Sequence, residues 1–242
     1  MKRTSLIILC LIAAVSAKAQ NWGGGVDDDN LHFGFTFQYL SSEYKILKKA
    51  NWRGQYVDED PQIPNTPGLR SISSKPTPGF GIGFVVNKRL GENADLRFTP
   101  ILVFSDRSLS YEYTNANANI DKKISTTLVD FPIGIKIKSD RRTNFRAYVI
   151  GGVKFTTDIT SKKKTDNSLV TDPAEKFINN ARNFMSYEAG LGFDLYFEYF
   201  KMSPELKLSY SMKNVLENEP TRYVAPLDKL MLRHVTFSLF FE

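Results

Sequence analysis

Cysteine is almost absent from this chain, histidine is scarce, and no apolar run is long enough to cross a bilayer as a helix. The one cysteine, Cys10, lies in an N-terminal stretch that reads as a removable signal, so the mature chain has no thiol for a disulfide or a thiolate metal site. Cys10 also follows Leu9 rather than a small residue, which argues against a lipoprotein. The two histidines, His32 and His234, are far apart, and the long polar segments contain none. The longest apolar stretch, Leu6 to Val15, falls well short of the roughly 20 residues a spanning helix needs. Charge of one sign is equally thin. The formal net charge of +6 drops to +3 once Lys2, Arg3 and Lys18 leave with the signal, too mild a surplus for nucleic acid as a partner.

What is present begins with that signal. Met1-Lys2-Arg3-Thr4 is a positive n-region, Leu6 to Val15 an apolar h-region, and Ala17-Lys18-Ala19 a small-x-small cleavage site before Gln20. The expected organisation is a secretory signal over 1–19, a flexible periplasmic leader over 20–30 and one domain over 31–242. Within the leader, Asp27-Asp28-Asp29 reads as an acidic tether, since calcium wants six to eight oxygens in a set geometry.

From Leu31 onward the period is two. Leu31, Phe33, Phe35, Phe37 and Tyr39 share one face of a strand, with His32, Gly34, Thr36 and Gln38 on the other. The pattern recurs around Phe80–Val86, Leu96–Phe104, Val129–Ile137, Phe145–Phe155, Tyr187–Phe197, Met202–Met212 and Val235–Phe241. Eight segments are an even number, as an antiparallel up-and-down barrel requires. The connections alternate too: 88–94, 139–144 and 199–201 are short, whereas 48–77, 114–124, 160–184 and 214–228 are long. Short periplasmic turns and long extracellular loops are the rule for outer-membrane barrels, so both chain ends are expected on the periplasmic side. Phe33, Phe98, Phe145, Tyr199, Phe200 and Phe241 then fall near the periplasmic rim, and Tyr111, Tyr113 and Tyr187 near the outer one.

The fold expected is therefore all-β, an eight-stranded antiparallel transmembrane barrel in contact with outer-membrane lipid. A soluble sandwich or lipocalin-like barrel would also alternate, with its apolar face inside. Against it, the polar face carries seven glycines (Gly79, Gly81, Gly83, Gly134, Gly152, Gly190, Gly192) among residues that are not uniformly charged.

An eight-stranded barrel is just wide enough to be filled by its own side chains. The inward set supplies charges of both signs: Arg97, Asp130, Lys136, Arg146, Lys154, Glu188, Asp194, Glu198, Glu205 and Lys207. Turns centred on 142 and near 200 would set Asp130 opposite Lys154 and Asp194 opposite Lys207, a polar network that neutralises itself. Perturbed carboxylates also gather at catalytic sites, but a structural plug is the expected role here. His32 and His234 should differ in height by about 20 Å, at about 3.3 Å per residue, too far for a dyad. Asp58-Glu59-Asp60, Asp172 to Glu175 and Lys162-Lys163-Lys164 read as solvated loop charges. No catalytic residue, cofactor, metal or small-molecule substrate is expected. The competing readings are a stand-alone structural barrel and a lipid-modifying enzyme acting through rim groups such as Asp106 and Ser108.

Several strings resemble the PorT family of outer-membrane proteins. They are Asn21-Trp22-Gly-Gly-Gly-Val-Asp-Asp-Asp, Leu31-His-Phe-Gly-Phe-Thr-Phe-Gln-Tyr39, Ser74-Lys-Pro-Thr-Pro-Gly-Phe-Gly-Ile-Gly-Phe84 and Leu96-Arg-Phe-Thr-Pro100. Ala147-Tyr-Val-Ile-Gly-Gly-Val-Lys154, Tyr187-Glu-Ala-Gly-Leu-Gly-Phe-Asp-Leu-Tyr196 and Phe200-Lys-Met-Ser-Pro-Glu-Leu-Lys207 continue the likeness. It covers nearly all of the mature chain, the long loops least. The resemblance implies a non-enzymatic component of the type IX secretion apparatus of Bacteroidetes, with other secretion subunits as partners. It carries over no catalytic residue. Trp22, an aromatic in the leader, is the expected periplasmic contact.

Overall fold

The computed structural model describes residues 30–57, 68–160, 167, 170, 172 and 175–242. The segment expected as a signal, Trp22, Asp27-Asp28-Asp29, Asp58-Glu59-Asp60 and Lys162-Lys163-Lys164 lie outside the described residues. The strands are β1 (Leu31–Lys48), β2 (Leu69–Lys75), β3 (Thr77–Arg89), β4 (Ala94–Phe98), β5 (Ile101–Tyr113), β6 (Ile120–Lys138), β7 (Phe145–Asp158), β8 (Asn183–Tyr196), β9 (Lys201–Ser211) and β10 (Leu227–Phe241).

Ten strands make eight staves, because two staves are interrupted by proline, which has no N–H to give the ladder. Pro76 separates β2 from β3, and Pro100 separates β4 from β5. Side chains and carbonyls repair the gaps. Thr77 Oγ1 donates to the carbonyls of Ser42 and Asp106, and the Phe84 N–H reaches the Pro100 carbonyl at 3.0 Å. Every neighbouring pair is antiparallel, and β1 pairs with both β3 and β10, so the sheet closes.

The closure carries a measurable stagger. Moving from His32 across the ladder through Asn87, Arg97, Gly134, Gly152, Glu188, Ser209 and His234 returns to β1 at Ser42, ten residues further along. Stagger and strand number together set strand tilt and lumen width. The same circuit separates the two histidines by ten residues of β1, about 33 Å of strand.

Each stave keeps its expected phase. Phe33 is 66% exposed, Phe84 70% and Leu191 60%, whereas Thr36, Lys136 and Asp194 are 0% exposed. Apolar residues thus encircle the outside and polar ones fill the inside, the arrangement of a barrel in lipid. Inward glycines sit where the backbone of the adjacent strand comes close. A Cβ on Gly152 would lie 2.1 Å from the Ile133 carbonyl oxygen and 2.6 Å from the Gly134 Cα.

The structure corrects several details. Residues 69–75, expected in a loop, form β2, which extends the second stave beyond Pro76. Tyr111 and Tyr113 do not join an outer aromatic belt. They are 1% and 7% exposed and face inward, because β5 holds its odd residues inside along its whole length. Tyr187 does face out, stacked on Tyr210 at 5.7 Å. The turn after β6 runs through Thr143, at φ 57°, and the turn after β8 is a two-residue hairpin closed by the Phe197 N–H to the Phe200 carbonyl at 2.9 Å. Both registers therefore shift from those expected.

Gly152→Val should prevent barrel closure, since the clash is with backbone, while Gly91→Ala, with nothing within 4 Å, should be silent. The folded fraction after refolding into detergent, read from the heat-dependent shift on a denaturing gel, checks both.

Candidate functional site

Among the described residues, the lumen is where charge is concentrated away from water. Near the periplasmic end Arg97, 1% exposed, meets Glu205 at 2.8 Å and Glu242 at 3.2 Å, and its Nε donates to Asn87 Oδ1 at 2.9 Å. Its guanidinium also covers the Phe240 ring at 4.3 Å. Lys201 pairs with Glu242 at 2.7 Å, and Lys138 with Asp95 at 2.7 Å. Lys136 reaches both Asp194 oxygens at 2.7 and 2.8 Å, and Ser203 donates to the same carboxylate at 2.6 Å. Lys207 bridges Glu188 at 3.0 Å and Glu205 at 3.1 Å. Tyr148 donates its hydroxyl to Glu205 at 2.9 Å. Asp130 holds Lys154 at 3.0 Å and Thr156 at 2.7 Å.

Nine of the ten residues assigned to the lumen from sequence are buried there. Glu198 is not: it is exposed in the β8–β9 turn, because that hairpin turns at 198–199 rather than near 200. Asp130 registers with Thr156, not Lys154, and reaches Lys154 diagonally. Asp194 registers with Arg146 and pairs with Lys136, while Lys207 lies opposite Gly190. Sequence reasoning missed Asp95, Asn87 and Arg107, which strict alternation from Arg97 along the third stave and its neighbour would have found. Lys138, two residues beyond Lys136 on the same face of β6, was passed over, Lys201 was lost because the turn was placed over 199–201, and Glu242 because the pattern was followed only to Phe241.

A different material closes the extracellular mouth. Tyr44, Leu109, Tyr111, Phe184, Leu216 and Leu230 belong to an apolar cluster completed by the segment between β9 and β10. Tyr223 in that segment is 0% exposed and accepts the Tyr111 hydroxyl on its carbonyl at 2.9 Å. Burial pushes the Tyr223 phenol above its usual range, opposed in part by the Arg222 guanidinium donating to it at 2.8 Å. The segment expected as a long extracellular loop over 214–228 is thus a cap folded into the barrel mouth. Between cap and network, a cavity of about 20 Å³ lies against Gln38, Leu40, Lys154 and His234. That is room for about one water.

The structure does not bring the rim carboxylate Asp106 and His234 together. Asp106 sits on the outward face of β5, paired with Lys123 at 2.7 Å, whereas His234 faces the lumen and is 3% exposed. Among the described residues no group of three His, Cys, Asp or Glu stands close enough to hold a metal ion. Space on the outside is greater. A recess of about 600 Å³ near the outer rim is lined by Phe80, Phe104, Lys123, Ile124, Thr160 and Phe177, apolar with a cation beside it.

The family model described as "Outer membrane protein beta-barrel domain" matches residues 27–217. The chain belongs to that family. This outer-membrane barrel is similar to the outer membrane protein OprG from Pseudomonas aeruginosa, with 13% identity over 87% of this chain and 93% of that one, at a TM-score of 0.44. It is also similar to Ail, the attachment invasion locus protein of Yersinia pestis, with 9% identity over 88% and 98% and a TM-score of 0.34. AlkL, solved in lipid bilayers by solid-state NMR, gives 12% identity over 86% and 87% and a TM-score of 0.35. No curated protein matches. At these scores the family match carries the assignment, and it places the barrel in the outer membrane, in contact with lipid.

Asp194→Leu leaves Lys136 buried without its carboxylate and should cost about 3–5 kcal/mol, while adding Lys136→Met should recover most of that loss, because removing both charges leaves no orphan. Urea unfolding of the barrel in detergent measures each variant.

Proposed function

We propose that this outer-membrane barrel is a non-enzymatic anchor or assembly factor of the type IX protein secretion apparatus. The observation that carries the anchoring half is the filled lumen: ion pairs occupy its periplasmic part, an apolar cap its mouth, and the space between admits about one water. A barrel so filled has no path for a folded or unfolded cargo, so its contribution is to hold surfaces in place. The secretion half rests on the PorT-like strings, which run through the staves from Leu31 to Lys207.

The parts available to partners follow from this reading. Binding surfaces carried on loops of a rigid scaffold are a common arrangement. The leader over 20–30, with Trp22, would meet periplasmic secretion subunits, and the exposed hairpin tip at Glu198 and Tyr199, the latter 85% exposed, lies at the same end. On a lipid-modifying reading, Asp106 would need a partner base, and its neighbour is the Lys123 ammonium, a cation.

Affinity purification of the tagged chain from outer membranes in mild detergent should recover other secretion subunits, identified by mass spectrometry, and Trp22→Ala should reduce that recovery. A barrel that purifies alone, together with normal export in a deletion strain, would leave a stand-alone structural barrel instead. In planar bilayers the purified protein should give no stepwise conductance, and steady channel openings would contradict the sealed lumen.

A further inference from the structure

Near the outer rim, the ladder between two staves stops early. Among the described residues, β6 pairs with β7 only from Leu128 to Lys138, whereas it runs on beside β5 to Ile120. The last bonds on the β7 side belong to Thr127: its carbonyl accepts from the Ile159 N–H at 2.9 Å, and its N–H donates to Thr160 Oγ1 at 2.9 Å. An antiparallel strand turns the backbone groups of alternate residues to the same side, so those of Ser125 and Lys123 also point away from β5. The register agrees, since the carbonyls of Asp106 and Ser108, opposite Ser125 and Lys123, turn to Thr77 and Ser74. Beside this edge lies the recess of about 600 Å³, which Thr160, Phe177 and Ile178 also line.

The recess joins two apolar bodies. One is the lipid-facing wall, through Phe80 and Phe104, both exposed and stacked at 5.1 Å. The other is the cap, because Ile178 belongs to its buried cluster and Ile124 packs against it. Hydrocarbon therefore meets apolar surface all the way from the membrane into the recess. Rimward of Phe104 the outward face of β5 turns polar at Asp106, which Lys123 Nζ meets at 2.7 Å. Lys122 and Lys123 outnumber Asp106, the single carboxylate of the lining. An ammonium has three N–H groups, so the exposed Lys123 retains donors beyond the one that Asp106 takes. An apolar floor below a net cationic border is the complement of an amphiphile with an anionic head. A polypeptide strand added to the same edge would run beside Asp121, Lys122 and Lys123, and edge charges, lysine above all, discourage strand addition.

We propose that the recess seats one phosphate-bearing lipid of the outer membrane, with an acyl chain between the Phe80–Phe104 pair and Phe177 and the phosphate on Lys123. Its volume of about 600 Å³ falls within the range of about 300–1,000 Å³ usual for small-molecule sites. Bound there, the lipid fills the wall where β7 no longer accompanies β6 and extends the apolar cap into the membrane. This site is independent of any role in secretion.

The test uses the intact barrel purified from outer membranes and stripped of lipid by detergent exchange. In native mass spectrometry, added phosphatidylglycerol should be retained at one molecule per barrel. It should bind several-fold more tightly than phosphatidylcholine, whose choline cancels the phosphate charge, and inorganic phosphate should not displace it. Lys123→Met should erase the preference for phosphatidylglycerol, Asp106→Asn should strengthen it, and Phe177→Asp should weaken retention of both lipids several-fold. None of the three side chains is buried, and the heat-dependent gel shift checks the folding of each variant. A structure in phosphatidylglycerol nanodiscs should place acyl density against Phe80 and Phe177. Equal retention of the two lipids, a preference untouched by Lys123→Met, displacement by inorganic phosphate, or a polypeptide strand of this chain or another lying along β6 would each overturn the proposal.

Discussion

Backbone hydrogen bonding across the β1–β10 seam is the constraint on which the rest of this structure depends. Hydrocarbon offers no partner to an exposed N–H or carbonyl, so a sheet that crosses a membrane must have no edge. Here β1 and β10 pair over most of their length, and on the other edge of β10 the Glu242 N–H and carbonyl extend its ladder with β9 to Lys201. Closing eight staves at a ten-residue stagger coils neighbouring strands so tightly that a Cβ on several inward glycines would meet the adjacent strand's backbone, which is why glycines stand there. The same closure turns every polar residue of the alternating pattern inward together.

Once inside, those residues must satisfy one another. Buried charge is tolerated only when paired and hydrogen-bonded, and the network meets this by sharing: Glu205 serves Arg97, Lys207 and Tyr148, and Asp194 serves Lys136 and Ser203. Such an interior contributes specificity of register more than net stability, since each pair also costs desolvation. The apolar cap works differently. It buries residues from five staves and the β9–β10 connection, and its hydrophobic gain holds that connection over the mouth. Arg107 stands where the two regimes meet and belongs to neither.

Much of this was legible in the sequence. Strict alternation identified the outward face of every stave, from Phe33 on β1 to Phe237 on β10, because lipid outside and a polar lumen inside leave no freedom in phase. What failed to show were places where no residue type announces the geometry. The β8–β9 hairpin turns through Glu198 and Tyr199, without glycine, proline or asparagine, so Glu198 was placed in the lumen and the partner of Asp194 was misassigned. Tyr111 and Tyr113 look like interfacial aromatics, yet unbroken alternation sends them into the cap. The β9–β10 connection is as long and polar as a free loop, and only its contact with the barrel mouth makes Val215, Tyr223 and Val224 core residues.

The order of strands, their phase and the side of the wall on which each residue sits were determined by the sequence alone, because a period of two admits one apolar face and lipid admits one place for it. Partners across the lumen were decided only by the tertiary structure. Which carboxylate meets which cation depends on the stagger at closure, a property of the whole ring that no single hairpin encodes. That stagger sets His234 beside Ser42 and not beside His32, joins Asp194 to Lys136, and leaves Arg107 without a carboxylate of its own.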